Sequence, residues 1–227
     1  MELRTERRVC VSTRNPHKLA ELAALLAPLD LGVVSAAELQ VPEVEETGAT
    51  FADNALLKAA AAFRVTGLAS LADDSGLMVD ALDGEPGVYS ARFAGPDASD
   101  ADNNRLLLER LADVPEQRRG AAFHCALALL VPEVVASAAG PGGAAGPGVP
   151  EGARLFALEG SVAGRILEVP RGAGGFGYDP LFLHPPTGLT FAELDGARKN
   201  RISHRARAFA ALHDTLAALW PGEPATR

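Results

Sequence analysis

Three observations describe a globular chain in which strands and helices alternate. Short apolar runs with strand character alternate with segments whose leucines and alanines recur at helical spacing. A chain of 227 residues is long enough to bury a sizeable core, whether as one large domain or two small ones. With 48% hydrophobic and 22% charged residues, the composition is that of an ordinary globular chain.

Val9 to Ser12 reads as a short strand that runs directly into a helix. Asn15 is a good N-cap, and Pro16 fits the first helical position because its missing N–H would have no partner there. Leu19, Leu22, Leu26 and Leu29 share one helical face. Val33 to Leu39 is a further strand and turn, leading to an acidic loop with Glu43, Glu45 and Glu46. Thr50 opens a second helix, with Asp53 completing a variant of the capping box. Phe51, Ala55, Leu56, Ala59, Ala60 and Phe63 form its apolar side, while Asn54 and Lys58, four apart, share a face that is either a solvated stripe or the lining of a cleft.

Leu68 to Ala72 is an apolar strand that ends at Asp73 and Asp74; Ser75 and Gly76 break the run before Leu77 to Leu82. Gly84, Pro86 and Gly87 mark a tight turn, and Ser99 with Asp102 caps a third helix carrying Leu106, Leu107 and Leu111. Ala121 to Val131 is a long buried strand. Residues 136–152, rich in Ala, Gly and Pro without apolar period, read as a flexible hairpin loop within one two-lobed domain spanning 1–227. Leu155 to Val169 is one bent strand or two, with Gly160 and Gly164 at the bends. Thr190 and Glu193 begin a helical turn, and Ser203 caps a last helix built on Phe209, Leu212, Leu216 and Leu219.

The composition excludes several classes. A net charge of −8 opposes a protein that coats nucleic acid, which requires a basic face. Cys10 and Cys125 lie in apolar runs without metal-ligand spacing, as buried thiols of a reducing compartment do. The charged start MELRTERRVC has no apolar segment of a signal peptide, and the longest apolar run is too short to span a bilayer and is interrupted by His124. A cytoplasmic protein with no membrane partner is expected.

Four stretches carry candidate chemistry. Adjacent carboxylates on a buried strand are costly unless cations meet them, and strand alternation sends Asp73 and Asp74 to opposite faces. One then suits metal or water activation and the other a structural brace; a solvated Asp-Asp-Ser-Gly turn is the alternative. Lys18 stands in a first helical turn, where the dipole disfavours a cation. With Thr13, Asn15 and free backbone N–H groups it forms a phosphate cradle, or else it is a surface lysine. His204, Arg205 and Arg207 repeat the same anomaly at the last helix. The run RGAGGFGYDP, Arg171 to Pro180, sets glycines beside Phe176 and Tyr178, as backbone approaching a flat ligand requires, or as an ordinary glycine-rich turn.

Taken in order, STRNPHKLAEL, EETGATFADNALLKA, LADDSGLMVDALDGEPGVYSARFAG, GGFGYDPLF and KNRISHRARA resemble the inosine triphosphate pyrophosphatase (Ham1-like) family over nearly the whole chain outside 136–152. Arg14 departs from the pattern, standing where the family commonly has glycine in its phosphate loop. The resemblance implies a homodimeric α/β fold with a long, twisted mixed sheet flanked by helices, and two lobes with a central cleft. It implies hydrolysis of ITP, dITP and XTP to the monophosphate and pyrophosphate with magnesium, clearing deaminated purines from the nucleotide pool. By motif match, Asp74 is the proton acceptor and holds the metal with Glu45. Thr13, Arg14, Asn15, Pro16, His17 and Lys18 hold phosphates. Ser75 and Lys199 contact substrate, while Phe176, Gly177, Tyr178 and Asp179 form the base pocket with His204 and Arg205. The rival readings are a Maf-type house-cleaning pyrophosphatase and a nucleotide sensor without hydrolysis.

Overall fold

The structure is a computed structural model that describes residues 7–29, 31–138 and 143–220. Strand β1 (Arg8–Val11) leads into helix α1 (Pro16–Leu26), then β2 (Gly32–Ser35) and α2 (Phe51–Thr66). Strand β3 (Ala69–Val79) is followed by α3 (Asp100–Arg110), β4 (Gly120–Pro132), the short α4 (Glu133–Ala138) and β5 (Ala153–Ile166). Two short strands, β6 (Phe182–His184) and β7 (Leu189–Thr190), precede α5 (Gly196–Ile202) and α6 (His204–Leu219). The seven strands form one sheet in the order β2-β1-β3-β4-β5-β6-β7. It is mixed: β1 pairs in parallel with β2 and β3, whereas β5–β6 and β6–β7 are antiparallel. The α/β class with a mixed sheet and flanking helices is therefore the fold observed.

The caps predicted from sequence are in place. Asn15 caps α1, and Thr50 with Asp53 forms a full capping box on α2, as do Ser99 and Asp102 on α3. Ser203 Oγ accepts the Ala206 N–H at the start of α6.

Two segments differ from expectation, and a third resolves an alternative left open by the sequence. The strand at Leu68 does not stop at the aspartates: β3 continues through Asp73, Asp74, Ser75 and Gly76 to Val79. Both aspartates are met by ammonium groups, described below, so nothing forces the chain to turn outward. The stretch from Leu155 is a single strand, β5. The segment 136–152 carries more order than its composition suggests. Ala136 lies in α4, and Ala144 exchanges two backbone hydrogen bonds with Leu155, of 2.8 and 2.9 Å. Val149 packs against the alanine-rich core of the first unit, while residues 139–142 of this segment lie outside the described residues.

The chain resolves into two compact units. The first comprises Met1–Asp74, Ala126–Glu159 and Ala208–Arg227. Part of its core is alanine-rich: Ala55, Ala59 and Ala60 of α2 cluster with Ala72, Ala126 and Ala128 of the sheet. Small side chains let helix and strand backbones approach closely, which brings the polar residues of α2 within reach of β3. The second unit comprises Ser75–Cys125 and Gly160–Arg207. Its core is bulkier, with Phe123, Phe182 and Phe191 in mutual ring contact at centroid distances of 4.6 to 5.7 Å.

Candidate active site

In the first unit the polar side chains converge on Asp73 and Asp74, which are 1% and 5% exposed. Successive strand residues face opposite sides, so each carboxylate meets its own lysine from a different helix. Lys18 of α1 places Nζ 3.4 Å from Asp73 Oδ2. Lys58 of α2 places Nζ 2.9 Å from Asp74 Oδ1 and 2.6 Å from Glu46 Oε1. Asn54, one turn before Lys58 and fully buried, donates from Nδ2 to Asp74 Oδ2 at 3.2 Å and accepts the Gly48 N–H at 2.7 Å. A Cβ at Gly48 would press on Asp53 and Asn54, so glycine is needed for this approach. Ser12, at the end of β1, donates from its hydroxyl to the Lys58 carbonyl and thereby ties α2 to β1.

The electrostatics follow from this crowding. Burial raises the Asp74 pKa above the usual carboxylate range; Lys58 opposes this, Glu46 adds to it, and Lys18 opposes it. Burial alone would lower the Lys58 pKa, but Asp74, Asp73 and Glu46 outweigh it and raise the value, so the ammonium stays charged. Three carboxylates thus surround two ammonium groups, an arrangement rich in hard oxygen donors.

The turn between β1 and α1 lies in the same unit. Asn15 Oδ1 accepts the N–H groups of His17 at 2.9 Å and Lys18 at 3.2 Å. Two of the backbone donors expected to be free for a phosphate are therefore already capped, the ordinary fate of such groups at a helix start. Thr13 Oγ1 accepts the Asn15 N–H. Pro16 and His17 are exposed. Arg14 is exposed as well and extends toward Glu43, 3.9 Å away, and the Val41 carbonyl. Among the described non-glycine residues, positive φ occurs at Gln40 and Asp83 and not at Arg14, so this turn does not require the glycine that Arg14 replaces.

In the second unit the glycine-rich run folds into a turn braced from several sides. Asp179 Oδ2 accepts the Phe176 N–H at 3.0 Å and the Lys199 ammonium at 2.6 Å, a pair that is almost wholly buried. Glycine is required at Gly175, with φ of +73°, because a Cβ there would collide with the Asp179 carboxylate. Lys199 Nζ also sits over the Phe176 ring, 4.5 Å from its centroid, and the Arg205 guanidinium stands 5.8 Å from it. Arg205 is 1% exposed, and His204 stacks on Phe123 at 4.9 Å. Tyr178 donates its hydroxyl to the Ser90 carbonyl at 2.9 Å. Burial raises the pKa of that phenol, and Asp100 adds to the shift. An aromatic ring edged by cations and backed by ordered peptide groups can bind a flat, electron-rich heterocycle.

A family model described as the Ham1 family matches residues 9–215. The chain belongs to the Ham1 family. Its relatives include dITP/XTP pyrophosphatases of Geobacter sulfurreducens, 48% identical over 95% of this chain and 98% of that one, and of Xanthomonas oryzae, 49% identical over 92% and 96%. Among solved structures, a HAM1 protein from Coxiella burnetii is 40% identical with a TM-score of 0.78, covering 92% of this chain and 98% of the other. A nucleoside-triphosphatase / dITP/XTP pyrophosphatase from Mycobacterium abscessus is 46% identical with a TM-score of 0.67, covering 90% and 98%. Membership of the Ham1 family sets the Maf-type reading aside.

Of the residues carried over from the Ham1 motifs, Lys18 and Asp74 belong to the first cluster, and Phe176, Asp179, Lys199 and Arg205 to the second. Ser75 follows Asp74 on β3 and is half-buried. Glu45 is exposed; its neighbour Glu46 is the carboxylate that shares Lys58 with Asp74. Lys58, Asn54 and Glu46, absent from the motif-derived site, also belong to the first cluster. The available signal was the four-residue spacing of Asn54 and Lys58 on a helix whose adjoining face is alanine-rich.

Proposed function

We propose that this protein is a nucleoside-triphosphate pyrophosphatase that hydrolyses dITP, ITP and XTP to the monophosphate and pyrophosphate. The observation that carries this reading is the buried carboxylate Asp74, held from both oxygens by Lys58 and Asn54 beside Glu46 and the Asp73–Lys18 pair. The family and the names of its relatives support the same reaction.

Hydrolysis of a phosphoanhydride needs a base for water and cations to spread developing charge. Asp74, with its raised pKa, is suited to take a proton from water and to release it again. Lys18 and Lys58 are two cations fixed by buried partners, so they need little reorganisation to meet phosphate oxygens. The donor set fits magnesium. Magnesium characteristically takes one or two carboxylates plus phosphates and water. Asp74 and Glu46, the two carboxylates joined by Lys58, would hold it, with Glu46 preferred to Glu45 for its position. Bound there, the ion would neutralise triphosphate charge.

In the second unit, Phe176 offers a stacking face, and Arg205 and His204 are donors suited to a 6-oxo group. Hypoxanthine and xanthine carry that oxygen, whereas adenine carries an amino donor that would leave buried donors unmatched. A cytoplasmic homodimer, with both units in one pyrophosphatase domain, completes the reading. No described helix is long and apolar enough to cross a membrane.

Pyrophosphate release from ITP, dITP, XTP, ATP and GTP, with magnesium and with a chelator, tests it. The expected kcat/KM for ITP exceeds that for ATP at least about 10²-fold, Arg205→Ala reduces this margin, and chelation stops turnover. Comparable values for ITP and ATP would overturn the reading, and tight binding without turnover would favour a sensor.

A further inference from the structure

Gly177 sits at the centre of the turn Phe176–Asp179 with φ of +60°, and both peptide planes that flank it are held by one face of α3. Asp100 Oδ2 accepts the Gly177 N–H at 2.6 Å, which fixes the plane between Phe176 and Gly177. Asn104 Nδ2 donates to the Gly177 carbonyl at 2.8 Å, which fixes the plane between Gly177 and Tyr178. The two side chains lie four residues apart, so a single helical face presents an acceptor and a donor at the spacing of adjacent peptide groups. Asn104 Nδ2 also donates to the Asp100 carbonyl at 2.8 Å. Both partners of the amide nitrogen are carbonyls, so the orientation of the amide is unambiguous. Its oxygen is buried and accepts no hydrogen bond among the described residues. A buried acceptor without a donor is destabilising, so this asparagine is a poor choice for packing alone.

We propose that Asp100 and Asn104 are positioning residues that set base selectivity by fixing the peptide planes on either side of Gly177. The inference rests on the reading of this turn as the base-recognising element. In a trans peptide the N–H points away from the preceding carbonyl. With the Gly177 carbonyl held by Asn104, the Tyr178 N–H is aimed to the opposite side, where it meets no acceptor among the described residues. A fixed N–H suits a purine with a 6-oxo group and mismatches one with a 6-amino group. Without the two side chains a left-handed glycine turns easily, because glycine has no Cβ to resist it, and the donor loses its aim.

The experiment compares kcat/KM for ITP with that for ATP in wild type, Asp100→Ala, Asp100→Asn, Asn104→Ala and Asp102→Ala. The ratio is independent of the fraction of protein that is folded and active. Asp102 belongs to the capping box of α3 and does not touch the turn, so its variant lowers Tm by a few degrees and keeps the wild-type ratio. Asp100→Ala and Asn104→Ala lower the ratio about tenfold each, the worth of one hydrogen bond. Asp100→Asn keeps an acceptor oxygen and stays within about threefold of wild type. A wild type that does not prefer ITP would refute the underlying reading of the site. A wild type that prefers ITP, with unchanged ratios in both alanine variants or an equal fall in Asp102→Ala, would overturn the positioning role alone. If Asn104→Ala fails to fold, the Asp100 pair decides the matter.

Discussion

Lys58 donates to Asp74 at 2.9 Å and to Glu46 at 2.6 Å, so one ammonium group holds together carboxylates that are 28 positions apart in the chain. In this respect Asp74 differs from its neighbour Asp73, whose cation is Lys18. The two aspartates are adjacent in sequence, and each is paired with a lysine from a different helix.

Asp74→Asn keeps the volume and one acceptor oxygen but removes the base. Turnover should fall roughly 10²- to 10⁴-fold, with nucleotide affinity nearly retained. Asp73→Asn, which removes the partner of Lys18, should cost turnover less than Asp74→Asn does. Single-turnover rates check both, and an Asp74→Asn rate near wild type would refute the assignment of the base.

Lys58→Met leaves two carboxylates facing each other without their shared cation. Removing one partner of a buried pair typically costs about 3 kcal/mol or more, which for a chain of this size lowers Tm by about 6–12 °C. A double variant, Lys58→Met with Glu46→Gln, should recover part of the loss because one of the stranded charges is gone. Thermal melts of the three proteins decide it: a double variant no more stable than Lys58→Met would show that the shared cation is not what binds these residues.

Excising residues 137–148 would remove the two hydrogen bonds between Ala144 and Leu155. A loss of about 2 kcal/mol is expected, hence a Tm lower by about 4–8 °C, with turnover preserved because no described residue of this stretch belongs to either polar cluster. A deletion that leaves Tm unchanged would mean that this pairing contributes nothing.

His184 gives a pH signature. Burial lowers its pKa below the ordinary imidazole value, Arg207 lowers it further, and Thr187 Oγ1 lies 3.2 Å from its Nδ1. The folded chain therefore favours the neutral ring, while the unfolded chain takes up a proton near pH 6.5. The associated stability is complete above that value and is lost as pH falls through it toward the depressed folded pKa. Tm should decline between about pH 7.5 and about pH 5.5, and His184→Gln should show a shallower decline. Parallel slopes in the two proteins would remove His184 from the account.

Much of this was legible in the chain itself. The caps at Asn15, Thr50 and Ser99 and the apolar faces of α1 and α2 follow from local rules, and local rules hold wherever a single helix decides the outcome. The five motifs identified the family. What local rules missed depended on contacts distant in sequence. β3 continues past Asp73 and Asp74 because lysines 55 and 16 positions upstream meet them, a fact invisible to any window around the strand. Glu45 and Glu46 are equivalent by composition, and only the path of the acidic loop separates the exposed one from the one that reaches Lys58. Asp100 and Asn104 look like ordinary residues of the first two turns of α3 until the chain returns to them with Gly177.

The seating of Asn54 and Lys58 on α2 has a consequence for how this protein can change. An α-helix advances roughly 100° per residue. One extra residue between Thr50 and Asn54 would rotate both side chains by that angle relative to the capped start and carry them away from Asp74, with every amino acid of the cluster still present. Substitutions perturb the cluster one side chain at a time, but a change of length here would dismantle it at a stroke. Along this interval the count of residues is as much a part of the chemistry as their identity.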